Sequence, residues 1–95
     1  MFTHLLTDHD HYFELGGENY HTAFNTWEFF RGTENDSWVS LVDSLALPEH
    51  LGQQTQTNTK NRTRQRHEED FSGPRTAQAA VRWLRENRGA DNWFL

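Results

Sequence analysis

The chain has 95 residues, a net charge of −5 and no cysteine, which limits it to one small domain without disulfides or thiolate metal sites. Hydrophobic residues make up 34% of the sequence, yet aromatic residues reach 14%. We interpret this mixture as a segment whose aromatic side chains pack against something larger. The acidic balance argues against a nucleic-acid partner, since neutralising phosphates needs a basic surface.

The sequence also argues against a membrane partner. No apolar run approaches the roughly 18 residues of a membrane span, and the segment Met1–Leu6 lacks the basic region and the length of a signal peptide. We therefore expect a cytoplasmic protein by default, an expectation that a truncated N-terminus would remove.

The first predicted element is a short strand over Phe2–Thr7, in which Leu5 and Leu6 are the buried residues. The strand is followed at once by Asp8-His9-Asp10-His11. Ligands bind outside the carboxyl ends of strands in open α/β sheets, so we expect the chemistry of this chain at that point. A double glycine, Gly16-Gly17, then breaks the path of the chain.

The aromatic segment that follows fits two patterns of secondary structure. A helix would place four residues on one face: Tyr20, Phe24, Trp27 and Arg31. A strand would instead alternate Trp27, Phe29 and Arg31. Aromatic residues at such spacings are more typical of a core than of a binding wall.

The middle of the chain is predicted to be mostly irregular. After a polar turn at residues 33–37, the run Leu41–Leu47 predicts two helical turns that Pro48 ends. Residues 52–66 are almost wholly polar, so we expect a mobile excursion there, within a polar loop over residues 52–70.

The clearest helix is predicted from Pro74 to about Asn87, because proline suits the first turn and Gly89 follows the end. Its predicted apolar stripe consists of Ala77, Ala80, Val81 and Leu84. The last four residues, Asn92–Leu95, predict the opening of a buried strand.

The pattern His9-x-His11 is the main candidate site. On a strand both imidazoles would share one face, and with His21 or a nearby carboxylate they would form a site for zinc or another transition metal. Two alternatives stay open from the residues alone. The histidines could be hydrogen-bonded at a strand end without further function, or they could contact an anionic substrate in a larger enzyme.

The chain resembles bacterial sulfatases of the arylsulfatase type over nearly its whole length. The resemblance is strongest in the run Thr7-Asp8-His9-Asp10-His11-Tyr12-Phe13-Glu14-x-Gly16-Gly17-x-x-Tyr20-His21, continued by Asn25-Thr26-Trp27-Glu28-Phe29-Phe30-Arg31-Gly32 and Asp36-x-Trp38. Two later segments look like the helix and strand that follow in the same proteins: Arg82-Trp83-Leu84-x-x-Asn87 and Ala90-Asp91-Asn92-Trp93-Phe94-Leu95.

The resemblance implies an α/β fold, namely part of an alkaline-phosphatase-like sandwich that hydrolyses sulfate esters. In that family the nucleophile is a formylglycine made from Cys or Ser, and a calcium ion holds the sulfate. Many members carry a Lys-x-His pair at a strand end that contacts the sulfate, and His9-x-His11 falls at that place. The resemblance therefore makes His11 the first and His9 the second candidate catalytic residue, although His9 replaces the usual Lys and acidic residues flank it.

Other family features are missing from the sequence. There is no Cys-x-Pro-x-Arg motif and no Ser equivalent, and the implied calcium ligands would lie before Met1 and after Leu95. We therefore expect residues 1–95 to be a fragment of a sulfatase catalytic domain that has no cofactor of its own and is inactive alone. Its sulfate-ester substrate would belong to the full-length enzyme.

The alternative hypothesis is a small His-rich protein that binds a metal or a partner. Under both hypotheses we expect self-association through exposed aromatic side chains.

Overall fold

The strand β1 (Phe2–Thr7) is the centre of a three-stranded parallel sheet in the computed structural model, which describes residues 1–17, 19–33, 35–47 and 55–95. The other elements are β2 (Thr26–Phe29), α1 (Gln56–Arg62), α2 (Ser72–Glu86), β3 (Trp93–Phe94) and 3-10 helices at Asp10–Phe13, Tyr20–Ala23 and Glu68–Asp70. The strand order is β2-β1-β3, and both neighbours run parallel to β1. The chain is thus a small α/β domain, as the sequence predicts at that level.

The register of the sheet decides which side chains share a face. His4 lies opposite Thr26, and Phe2 lies opposite Trp93. Because side chains alternate along a strand, His4 and Leu6 point to one face of the sheet, and Leu5 and Thr7 point to the other. The sheet therefore needs a cover on both sides.

Helix α2 covers the first face, through aromatic contacts. The imidazole of His4 is buried and stacks on the Trp83 indole, with ring centroids 5.8 Å apart and planes 5° apart. Its Nδ1 atom lies 2.6 Å from Thr26 Oγ1. Trp83 also meets Trp93 edge-to-face at 5.0 Å. One helical tryptophan thus joins the helix to the outer strand β3 as well as to the central strand.

The second face is covered by the two 3-10 helices between β1 and β2. Phe13 stacks on Phe29 at 4.3 Å, and His21 meets Trp27 edge-to-face at 5.0 Å. The aromatic segment that fits two patterns is therefore a short 3-10 helix followed by a strand. The strand pattern is the correct one from residue 26 onward, because pairing with β1 fixes it.

The expectation of a mobile excursion over residues 52–66 is wrong for residues 56–62, which form α1; residues 52–54 lie outside the described residues. The polar side chains themselves order this backbone. Thr55 Oγ1 accepts the N–H of Asn58 and caps the helix. Asn61 is only 1% exposed, and its amide accepts from Val39 N and donates to the carbonyl of Asp36.

The predicted helical turns over Leu41–Leu47 are also absent, and this segment is irregular; Pro48, the predicted stop, lies outside the described residues. Side chains of α1 replace the helical hydrogen bonds that this segment would have made. Gln56 contacts both the N–H and the carbonyl of Leu45, and Lys60 Nζ donates to the carbonyl of Leu41.

The helix predicted from Pro74 to Asn87 is confirmed and begins two residues earlier, at Ser72. Its predicted apolar stripe is wrong, because Val81 and Leu84 are exposed while Ala79 is buried. The aromatic contacts of Trp83 set the rotation of the helix about its axis. The spacing of the aliphatic residues alone does not predict these contacts. The strand predicted at the end of the chain is confirmed, but Trp93 and Phe94 are exposed at the sheet edge and not buried.

Candidate functional site at the carboxyl end of β1

The two candidate histidines lie just beyond the last residue of β1. His9 is extended, and its N–H donates to Thr7 Oγ1 at 3.0 Å. The 3-10 helix Asp10–Phe13 then turns the chain and brings the imidazoles of His9 and His11 to a centroid separation of 4.8 Å. The two histidines are close, as the sequence predicts, but the reason differs. The strand has already ended, and a tight 3-10 turn of the backbone brings the two rings together.

Asp10 completes a group of three potential ligands. One ligand atom from each of His9, Asp10 and His11 lies within 4.8 Å of the other two. Asp10 is buried, whereas both histidines are exposed. The Nδ1 atom of His11 is 3.6 Å from Asp10 Oδ1. The group thus combines one buried carboxylate with two solvent-exposed imidazoles.

His21, predicted as an alternative third ligand, is not part of this group. Its ring packs at 4.5 Å on Phe13, and its Nδ1 atom is buried with no hydrogen-bond partner among the described residues. Its aromatic surroundings on the sheet make it a packing residue. The sequence left open whether the third ligand is His21 or a carboxylate. In the structure the third candidate ligand is the carboxylate of Asp10.

The chemistry of these ligands does not fit calcium, the ion that the family resemblance implies. Calcium takes six to eight oxygen ligands, whereas two of the three candidate atoms here are imidazole nitrogens. Within the described ranges, no other group of three His, Asp or Glu side chains comes together. The donor set instead suits zinc or a similar transition ion.

A surface cavity of about 410 Å³ opens beside the histidine pair. Tyr12 meets His9 edge-to-face at 4.9 Å and Tyr20 at 6.0 Å. Gly17 closes one wall, where its N–H donates to the carbonyl of Glu14 at 2.9 Å and a Cβ atom would collide with two backbone oxygens. The lining residues are His9, His11, Tyr12, Glu14, Leu15, Gly16, Gly17 and Tyr20.

A second cavity, of about 420 Å³, is lined by Asp10 together with Phe13, Phe29 and Arg31. Its one cationic lining residue, Arg31, donates Nη2–H and Nε–H to the carboxylate of Asp36 at 2.8 and 3.2 Å. These hydrogen bonds raise the pKa of the Arg31 guanidinium above its ordinary value. Arg31 is thus engaged by its own loop, and among the described residues the cavity lining offers no other cation for a ligand.

The carboxyl end of β1 is also anchored by a residue that the sequence did not suggest. Ser72, the first residue of α2, donates its hydroxyl to Asp8 Oδ2 at 3.0 Å. The two residues are 64 positions apart, and no local pattern links them. A serine before a proline indicates only that a helix begins.

No helix in the described part of the chain is both long and apolar enough to cross a membrane. Comparisons with protein-family models, with curated proteins and with solved structures find no match for this chain.

Proposed function

We propose that this chain is part of a sulfatase-type hydrolase, in which His9 and His11 contact the sulfate group of a sulfate ester. One observation carries the proposal: two exposed imidazoles lie 4.8 Å apart at the carboxyl end of the central parallel strand. In open α/β sheets this edge is where ligands bind. Imidazole gains a positive charge near neutral pH and then donates charge-assisted hydrogen bonds to anionic oxygens.

The two histidines would act by electrostatic stabilisation. As a sulfate ester is cleaved, negative charge develops on the leaving oxygen, and a fixed cationic donor lowers the energy of that transition state. Since the sequence has no formylglycine motif, the nucleophile would come from another part of the enzyme. His11 and His9 are accordingly substrate-contacting residues in this proposal and not nucleophiles.

The burial pattern supports the idea that more protein packs on this sheet. Ala79 is the one buried hydrophobic residue among those described, while large side chains such as Trp27 and Phe94 are exposed. A domain of this size normally buries more of its apolar surface. A sulfatase-like sandwich would supply the missing cover.

Two experiments test this proposal. The purified 95-residue chain is expected not to hydrolyse 4-nitrophenyl sulfate, and hydrolysis by it would contradict the account of the nucleophile. The genomic reading frame is expected to encode Cys-x-Pro-x-Arg ahead of this segment and Asp-Pro-His behind it. A continuous frame without these motifs would contradict membership of a sulfatase.

A second function, binding of a transition metal, is favoured by the close approach of His9, Asp10 and His11. Zinc sites commonly use three such ligands and complete the coordination with water. Zinc titration tests this directly, because micromolar binding that is lost in His9→Ala and in His11→Ala would support it. His67→Ala is the matched control, since His67 is exposed and its contacts are local to the 3-10 helix Glu68–Asp70. Equal binding by all variants would contradict a zinc site here.

A further inference from the structure

We propose that Ser72 is a positioning residue for the His9–His11 pair and acts on it through Asp8. The use of the pair in sulfate binding rests on the proposed function, but the geometry of the pair does not. The proposal thus assigns a role in the site to the first residue of α2, which belongs to a different part of the sequence.

The link is a chain of three buried or partly buried groups. Ser72 is 7% exposed, and its Oγ lies 3.0 Å from Asp8 Oδ2 and 2.5 Å from Thr33 Oγ1. A hydroxyl has a single proton. Because the Ser72 proton goes to the Asp8 carboxylate, the Thr33 hydroxyl must donate to Ser72. The direction of each hydrogen bond is therefore fixed, and all three groups are satisfied.

Asp8 immediately precedes His9, and Thr7, the residue before Asp8, also contacts His9. Thr7 is 8% exposed, and its Oγ1 accepts the N–H of His9 at 3.0 Å. Thr7, which is buried, and Asp8, which is partly buried, are thus anchored by hydrogen bonds while the rings of His9 and His11 stay open to solvent. An anchored backbone beneath exposed functional side chains is the arrangement that preorganises a binding site.

The position of Ser72 adds an electrostatic contribution to this anchor. Ser72 opens a helix of 15 residues, and a carboxylate at a helix N-terminus is favoured by the helix dipole. Without the Ser72 hydroxyl, Asp8 would lose its hydrogen-bond donor, and its carboxylate would turn toward water or toward a neighbouring imidazole. The mutual orientation of His9 and His11 would then no longer be fixed.

The test compares Ser72→Ala with Ser72→Thr and with the matched control Thr76→Ala. Thr76 lies one turn along the same helix, and its hydroxyl donates to the backbone carbonyl of Ser72 and is not one of the three groups linked through the Ser72 hydroxyl. Two quantities are measured on each protein: the NOE between the ring protons of His9 and His11, and the affinity for 4-nitrophenyl sulfate in the presence of a chelator.

We expect Ser72→Ala to lose the NOE and to bind the ester about tenfold more weakly, since misorienting the two imidazoles should cost on the order of one hydrogen bond to a charged group. Ser72→Thr, which keeps the donor, and Thr76→Ala should keep both. A folded Ser72→Ala protein with unchanged NOE and affinity would overturn the proposal. If Ser72→Ala does not fold, Ser72→Cys replaces it, since the thiol keeps the volume but donates weakly; loss of the NOE then supports the proposal and full retention overturns it.

The two readouts separate this inference from the proposed function. If the NOE responds to Ser72 as expected but no protein binds the ester, the sulfate contact is wrong and the positioning role stands. If the wild-type protein binds the ester through His9 and His11 and Ser72→Ala changes neither readout, the sulfate contact stands and the positioning role is wrong.

Discussion

Individual polar side chains hold the irregular parts of this molecule in place. Six polar residues are buried in the described part of the chain, against one hydrophobic residue: His4, Thr7, Asp10, Asp36, Asn61 and Ser72. Five of them make hydrogen bonds, and the Asp10 carboxylate lies 3.6 Å from His11 Nδ1. A buried polar group is costly only when it is unpaired. The stability of the loops therefore depends on single hydrogen bonds more than on packed volume.

Asn61 is the residue at which this dependence is expected to be largest. Its side-chain amide donates to the carbonyl of Asp36 at 2.8 Å and accepts from the N–H of Val39 at 3.1 Å. Asn61→Ala leaves both backbone groups without a partner and should lower the free energy of unfolding by about 2 kcal/mol. Asn58→Ala, on the same helix, loses one exposed contact with Arg62 and should change it by no more than about 0.5 kcal/mol. Urea unfolding measures both, and equal effects would contradict the role given to Asn61.

Asp70 is expected to give the chain a local dependence on pH. The backbone N–H groups of His67 and Arg66 donate to its carboxylate at 2.9 and 3.0 Å and hold its pKa below the ordinary value. Since the folded pKa is the lower one, this contribution to stability is complete above the unfolded pKa and is lost as pH falls through the folded pKa. Titrating the Asp70 Cγ resonance should give a lower midpoint in the folded protein than in urea. Coincident midpoints would contradict the capping interaction.

Among the elements, α2 packs on two strands of the sheet through one tryptophan, Trp83, beside polar links such as the Arg82–Glu28 ion pair. Trp83 stacks on His4 and meets Trp93 edge-to-face, so it contacts both β1 and β3. We expect Trp83→Leu to lower the free energy of unfolding by about 1–3 kcal/mol, because the aromatic contacts go and a void remains. Leu84→Ala is the control: Leu84 is adjacent and 43% exposed, so its truncation should cost less than about 1 kcal/mol. Thermal unfolding of the two variants tests the difference.

The elements that the sequence predicts well are those with their own local signal. The strand Phe2–Thr7 and the helix that contains Pro74 have clear patterns, and both are confirmed. Helix α1 could not be predicted, because its order comes from Asn61 and Gln56, whose partners lie in a loop elsewhere in the sequence. The rotation of α2 likewise depends on an aromatic contact with another element and not on its aliphatic residues.

The candidate site divides in the same way. His9 and His11 are visible in the sequence because they are close together and follow a predicted strand. Their actual proximity depends on a 3-10 turn that alternation along a strand does not describe. Asp8 could be noticed beside them, but its partner Ser72 could not, since only the folded chain brings the two together.

At the scale of the whole molecule, the exposed apolar surface predicts self-association. Phe2, Phe94 and Leu95 are all exposed around the short edge strand β3, and unpaired sheet edges invite pairing. Sedimentation velocity should show a mass that rises with protein concentration. Phe94→Glu should weaken the association about fivefold or more, because an interface aromatic contributes at least about 1 kcal/mol when it is central. A monomer at every concentration would contradict this prediction.

The proposed contact of His9 and His11 with a sulfate group can be followed on the two imidazole rings themselves. Carbon–proton spectra of the histidine rings are recorded while 4-nitrophenyl sulfate is added, with a chelator present to remove metal ions. We expect saturable shifts of the His9 and His11 signals, with little change at exposed His67, and no such saturation with 4-nitrophenyl acetate, which lacks the sulfate. Unchanged signals from both histidines, or shifts of equal size at His67, would contradict it.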